Sequence, residues 1–416
     1  MDPLATLLEP SPAAHALRSG GRLVVAGQQP AYGGGPLYTL FKAAHAVALA
    51  RSLDQPNAAV APLFWCASED HDLGEADHVD LIHRDGRIQR LHADFGGGRQ
   101  ALRHRLAEVG WTALVAALAD LAPHGLGREW VVAHAPQAGE LLGAWQCRLL
   151  ASLLPTLATV EAHRLRPYWR SGLVRALVSW PEQALAAHRA QHLSTGGGDP
   201  FGPLDHVPIF ADRADGRLAL DPEAALGVFA SEPDTLSPGA ALRPILQQVA
   251  LPCSHFIAGP GELAYHALIT PLYSHFGVEA PVLVPRCRAT LIPAWFRRAC
   301  ATRGWDPTAL PSAEPALEDA ELTTLDGCLN RLAASHPELP GNLAKLRRER
   351  DRLAKTLQRR QHPQRLGALR SWVQPREQPQ ERVLSMVQAV WEYGPGLAEL
   401  LVAHASDEQR SPWLRV

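Results

Sequence analysis

Between residues 21 and 81 the apolar positions fall into a strand, helix, strand order. Leu23-Val24-Val25-Ala26 is a short unbroken apolar run. Leu37, Leu40, Phe41, Ala44, Val47 and Ala48 then recur with helical period to about Leu53, with Pro36 at a first helical position. Val60 to Cys66 is a second run of buried type. Two such runs around one helix predict a βαβ unit with parallel strands. The same logic returns late in the chain. Ser254 to Ala258 reads as a strand, Gly259-Pro260-Gly261 as a tight turn, and Glu262 opens a helix running through Leu263, Leu268, Ile269 and Leu272 to about Phe276. Pro281 to Val284 is another buried strand, ending at Pro285-Arg286. Joined in one sheet, these elements make everything between them insertions and flanking helices.

Two alternating stretches mark the insertions, which span about 79–235. "VDLIHRDGRIQRLHAD" (79–94) turns at Asp85-Gly86 and "VPIFADRADGRLAL" (207–220) at Asp215-Gly216, both hairpin signals. Helical patterns lie near 100–122, 137–154 and 170–192, followed by Gly196-Gly197-Gly198. The character changes after Arg303. Leu322, Leu325, Leu329 and Leu332 follow 3-4-3 spacing, "SHPELPGN" (335–342) interrupts, and Leu343, Leu346, Leu353 and Leu357 resume heptad-like spacing among arginines. This predicts a short helical hairpin arm over 303–371, after a core of 1–302. A last helix, Glu381 to about His404, carries a stripe of Val383, Leu384, Val387 and Val390 that returns residues 372–416 to the core. No solenoid repeat is found.

At 416 residues, 46% apolar and a net charge of -2, the chain is too long for one simple core and has no charge bias toward nucleic acid or anionic lipid. Six scattered cysteines without a CxxC pair argue against a zinc site or a disulfide framework, and fit a reducing cytoplasm. No segment reaches the ~18 apolar residues of a membrane span. The first residues, with Asp2, Glu9 and three prolines, do not read as a signal peptide. Basic positions are nearly all arginine, and Lys42 is the sole lysine before Lys345. Where arginine has replaced lysine almost everywhere, a retained lysine suggests a need for a compact point charge.

Ligands of open parallel sheets bind beyond the carboxyl ends of the strands. Three loops are expected there: Gly27 to Gly35, Ser68 to Asp72, and Gly259 to Glu262. The first and third precede helices, whose free N–H groups favour an anion. Lys42, about a turn and a half into its helix, is either a solvated surface lysine or one that reaches back to the loop. Glu69, Asp70 and Asp72 crowd three carboxylates into four positions; they either tune a general acid or base, recruit Mg²⁺, or form a solvated helix cap. His71 in their midst is expected to stay protonated. The spacing of His71, Glu75 and His78 is not that of HExxH. Cys66 and Cys253 are either buried small hydrophobes or nucleophiles. "GGGPLYTLFK" is neither a Walker A loop nor GxGxxG.

Together, "GQQPAYGGGPLYTLFKAAHA", "APLFWCASEDHDLGEADHV", "FIAGPGELAYHALITPLYSHFGVEAPVLVPR" and "QERVLSMVQAVWEYGP", in this order, resemble the bacillithiol biosynthesis cysteine-adding enzyme family, BshC. The resemblance covers about 21–93, 235–292 and 372–402. It implies an α/β fold: a Rossmann-like parallel-sheet core like those of class I synthetases and nucleotidylyltransferases, with connecting-peptide insertions and a coiled-coil arm used in dimerisation. Here that arm is shorter than the family's, which puts the mode of dimerisation in question. The implied reaction is a ligase step adding cysteine to the amine of glucosaminyl-malate, with ATP or ADP as the associated nucleotide. The family's blocks fall on Gln28, Gln29, Gly33, Gly34, Gly35, Pro36, Tyr38, Thr39 and Lys42; on Ser68, Glu69, Asp70, His71 and Asp72; and on Gly259, Pro260, Gly261, Glu262 and Tyr265.

Amide formation in water is uphill, so a carboxyl must be activated, most simply by a nucleotide. On this reading Gly33 to Gly35 with Lys42 cradle phosphate, Glu69, Asp70 and Asp72 supply a cation or base site, and Gly259 to Glu262 clamp substrate. His71 or Asp70 takes the amine proton, and Arg286 grips malate carboxylates. Two other readings share these features: another adenylate-forming or nucleotidyl-transfer enzyme, and a synthetase-like module binding RNA through the arginines of Lys345 to Arg376.

Overall fold

The computed structural model describes residues 3–213, 216–312, 320–361 and 366–416. Its centre is a five-stranded, wholly parallel sheet of β1 (Arg22–Gln28), β2 (Val60–Cys66), β3 (Ala158–Glu161), β4 (Cys253–Ala258) and β5 (Val282–Pro285), in the order β5-β4-β1-β2-β3. Parallel strands are covered on both faces, so they read as continuous apolar runs, and Leu23 to Ala26 and Leu63 to Cys66 are accordingly buried. The registers Gln28↔Cys66, Cys66↔Glu161, Ala26↔Ile257 and Pro285↔Ala258 bring the carboxyl ends of all five strands to one edge. The chain leaves β1 for β2 on one side and later returns as β4 on the other. The gap between β1 and β4 is therefore the switch point where ligands of such sheets bind.

The early and late strands do join in one sheet. No local pattern announces β3, whose four residues carry only Ala158 and Val160 as apolar positions. The first long helix, α1 (Tyr38–Leu53), begins two residues after Pro36. Pro36 instead bridges antiparallel to Ser385, Leu37 N–H donates to Leu384 O at 2.8 Å, and Met386 N–H donates to Gly35 O at 2.9 Å. The late helix, α2 (Pro260–Phe276), has Glu262 in its third position, where the carboxylate accepts from Gly259 N–H at 2.6 Å and faces the positive end of the helix. The 79–94 hairpin forms as His78–Ile82 and Ile88–His92. In the second hairpin, Ile209–Arg213 pairs with Gly216–Ala219, and Leu236–Pro238 adds a third strand; Asp215 lies outside the described residues.

The structure divides into two units, and the boundaries differ from those read in the sequence. One comprises Met1–Leu81, Arg90–Ala289 and Glu381–Pro412; the other Ile82–Gln89, Thr290–Gln380 and Trp413–Val416. Within the second, Thr290–Ile292 pairs in parallel with Trp413–Arg415. Gln380 accepts from Leu291 N–H and donates to Trp372 O, and Trp372 packs edge-on to Trp295 at 5.2 Å. The arm consists of α3 (Ala320–Ser335) and α4 (Pro340–Gln361), with Leu322 and Leu329 buried. Arg350 is paired with Asp326 across the hairpin. The last helix is broken in three: Gln380–Val383, α5 (Met386–Tyr393) and α6 (Leu397–Ser406). Ser385 caps α5 by accepting from Gln388 N–H, and Gly394-Pro395 ends it. No helix among the described residues is long and apolar enough to cross a membrane.

Candidate active site

A cavity of about 430 Å³ opens at the switch point, within the size range of small-molecule sites. Its lining comes from the carboxyl ends of β1 (Gly27, Gln28, Gln29), β2 (Ala67, Asp70), β4 (Gly259 to Glu262) and β5 (Arg286). Tyr38 and Lys42 enter from α1, Tyr265 from α2, and Arg382 from the C-terminal segment. Trp65, Phe256 and Tyr265 give it aromatic walls.

Lys42 resolves the choice left open by sequence. Its side chain is 4% exposed, and Nζ donates to Gly27 O at 2.7 Å and Gln28 Oε1 at 3.1 Å and pairs with Glu262 Oε2 at 2.6 Å. An ammonium has three protons, and all three are occupied. Burial lowers its proton affinity, while the Glu262 charge opposes that shift. Lys42 therefore ties the end of β1 to the first turn of α2. The expectation that it is free to meet a phosphate is replaced by an anchoring role.

The glycines Gly33, Gly34 and Gly35 do not line the cavity. Gly34 is buried at φ +77°, and a Cβ there would fall 2.2 Å from Met386 Cε. The run is a packing and turning device against the C-terminal segment, which accounts for its three small residues. Pro36 lies in that same contact, and Thr39 is buried behind it. The working half of the loop is Gly27 to Gln29. Gln146 braces it by accepting from Ala31 N–H at 3.1 Å and donating to Gln29 O at 3.3 Å.

The acidic loop is dispersed. Ser68 is buried and hydrogen-bonded to His163 Nδ1 at 3.0 Å. Glu69 is fully buried, and Arg166 bridges it to Asp212. Asp70 does line the cavity. Burial favours its neutral form, but Arg243 at 3.2 Å and the N–H groups of His71 and Asp72 outweigh this and hold its pKa at about 2. Asp72 is exposed and outside the cavity lining. His71 also lies outside, and its expected protonation is reversed: burial and the Arg217 charge lower its pKa, and Nδ1 accepts from Arg217 at 3.3 Å. Among the described residues no group of three His, Cys, Asp or Glu is arranged to hold a metal ion. Cys66 and Cys253 are buried, with burial pushing the Cys253 thiol up to about 12, so neither is a thiolate at neutral pH.

Arg286 donates to Glu381 Oε1 at 3.1 Å and lies over the Tyr38 ring at 5.3 Å, but its buried Nη1 has no partner among the described residues. Tyr38 OH accepts from Gln28 Nε2 at 3.2 Å. Arg382 and Arg243 were not singled out from the sequence, and Glu75 was weighed there only against HExxH spacing. Arg382 sits in the "QERV" block that carries the resemblance, and Glu75 five residues past Asp70, so proximity to known blocks was the available signal. Arg243 had none.

Fold and cavity together define a Rossmann-like α/β domain with a charged small-molecule cleft at its switch point. The family described as "Bacillithiol biosynthesis BshC, N-terminal Rossmann-like domain" matches residues 12–125 and 214–287. Relatives each named "Putative cysteine ligase BshC" include one from Koribacter versatilis, 33% identical over 300 residues, covering 66% of this chain and 56% of the relative. One from Desulforamulus reducens is 27% identical over 434 residues, covering 90% and 80%. One from Thermus thermophilus is 29% identical over 436 residues, covering 91% and 86%. The chain thus spans a little over half the length of the first of these and most of the other two. Its Rossmann-like domain matches that of the BshC family.

Proposed function

We propose that this protein joins the carboxyl of cysteine to the amine of glucosaminyl-malate, completing bacillithiol, with the carboxyl activated by ATP. The observation that carries the reading is the composition of the cleft. It offers anion-binding valence at Arg286 and Arg382, a carboxylate at Glu75, and aromatic walls, all at the switch point of the sheet.

The residues present fit a nucleotide. The buried Nη1 of Arg286, without a partner among the described residues, is a donor that an anion can take, whereas Gly259 N–H at the first turn of α2 is already taken by Glu262. Arg286 and Arg382 would hold the phosphates, and Trp65, Phe256 and Tyr265 would flank the flat base. A bound triphosphate supplies the chemistry that turns a carboxylate into an acyl group with a phosphate leaving group. The chain's own residues bind and orient the two substrates and keep water from the acyl carbon. They do not fit a protein-held Mg²⁺, because Asp70 and Glu69 are already neutralised by Arg243 and Arg166.

The test is the thiol profile of a strain lacking this gene. Accumulated glucosaminyl-malate without bacillithiol is the expected result; unchanged thiols would overturn the assignment.

A further inference from the structure

Three carboxylates line the cavity, and two are committed to cations. Glu262 pairs with Lys42 at 2.6 Å and Asp70 with Arg243 at 3.2 Å. Glu75 receives only the Gln29 side-chain amide, Nε2 donating to Oε2 at 3.1 Å, and among the described residues no basic side chain stands within 4 Å of it. We propose that Glu75 binds the ammonium of the amine substrate and accepts its proton, a role that rests on the ligase reading above.

A substrate amine arrives protonated, and an ammonium in a cleft needs an anion whose charge is not already spent. Glu75 is the lining group that meets this condition. It sits at the mouth, where a proton can pass on to water. The groups around it also suit a base. Asp70 and Asp72 face it from its own loop, Gln29 from the end of β1, Tyr38 from α1 and Arg382 from the C-terminal segment. Burial and the charges of Asp72 and Asp70 raise its proton affinity, more than Gln29 and Arg382 lower it. Asp70, held at about 2, is too weak a base, and the His71 ring nitrogen accepts from Arg217 outside the cavity.

In the step so assigned, the bound ammonium gives one proton to Glu75. The freed lone pair forms the C–N bond at the nucleotide-activated carboxyl carbon, and the C–O bond to the phosphate-bearing leaving group breaks, the electron pair leaving with oxygen. The second nitrogen proton goes to that oxygen, and Glu75 returns its proton to water.

The experiment uses the full chain and its Glu75→Gln and Glu75→Asp variants, with two readouts. In ligation assays with cysteine, ATP and glucosaminyl-malate from pH 5 to 9, E75Q should lose about 100-fold or more in kcat and the acid limb of the profile, while E75D keeps part of both. By calorimetry, the wild type should bind glucosaminyl-malate at least tenfold tighter than its N-acetylated counterpart, and E75Q should lose that preference. Wild-type kcat, profile and preference in E75Q would overturn the inference; should E75Q misfold, E75D decides by the same measures. Absence of ligation by the wild type would count against the ligase reading, while the amine preference would still judge Glu75.

Discussion

Two walls of the same cleft handle charge differently. Where β1 meets α2, Lys42 pairs with Glu262 and Arg243 with Asp70, so each cation has its carboxylate. Where β5 meets the C-terminal segment, Arg286 is likewise paired with Glu381, but Arg382 has no carboxylate within 4 Å among the described residues. The first wall has its cations paired, and the second carries one, Arg382, that is not. A charged side chain in a pocket is thus informative only once its partners are counted.

The sharpest way to break the comparison is Lys42→Met. Removing one partner of a buried pair leaves Glu262 charged and unpaired, and Gly27 O and Gln28 Oε1 without a donor. The expected loss is about 3–5 kcal/mol of unfolding free energy, and Glu262→Met in the same chain should recover part of it. Urea denaturation decides. A K42M protein with wild-type stability that failed only to bind ADP would class Lys42 with Arg382 instead.

A smaller effect is expected from acid. Asp70 titrates at about 2 in the fold against 3.8 unfolded, so its contribution is complete above about pH 4 and fades as pH falls through 2. The shift is worth roughly 2 kcal/mol. The stability difference between the wild type and Asp70→Asn, followed by urea midpoints from pH 6 to 2.5, should narrow by most of that amount. A difference constant over that range would mean that Arg243 does not hold Asp70 ionised and that this wall has charge to spare.

The same distinction marks what could be read from sequence. The parallel strands, both glycine-bearing turns and the order of the blocks were legible because continuous apolar runs and helix period are local signals. The sheet edge where Gln28, Asp70, Glu262 and Arg286 meet followed from them. Partner counts are not local. Nothing near Glu69 announces Arg166, 97 positions away, and nothing near Gly34 announces Met386. Both the acidic loop and the glycine run therefore looked like ligand sites when their valence and space are filled from inside the fold. Arg382 escaped notice for the converse reason: its helical period suggested one continuous helix, and only the break at Leu384-Ser385 delivers it to the cleft.

Arg382→Ala is expected to have the smallest effect on the fold. The side chain is exposed and pairs with no carboxylate among the described residues, so unfolding free energy should change by no more than about 0.5 kcal/mol. Binding should respond much more. A charge-assisted hydrogen bond is worth about 1.5–3 kcal/mol when sheltered, so ADP affinity should fall by about tenfold or more, and less steeply at high salt, where an exposed arginine is screened. Lys at this position should restore only part, because an ammonium lacks the two-pronged donor set that fits a phosphate. Calorimetric titration with ADP, run beside a thermal melt, separates the outcomes. Weaker binding with an unchanged melt keeps the two walls distinct. A lowered melt with unchanged binding would make Arg382 one more internal tie and leave the buried Nη1 of Arg286 and Nε of Arg243 as unspent cationic donors of the cleft among the described residues.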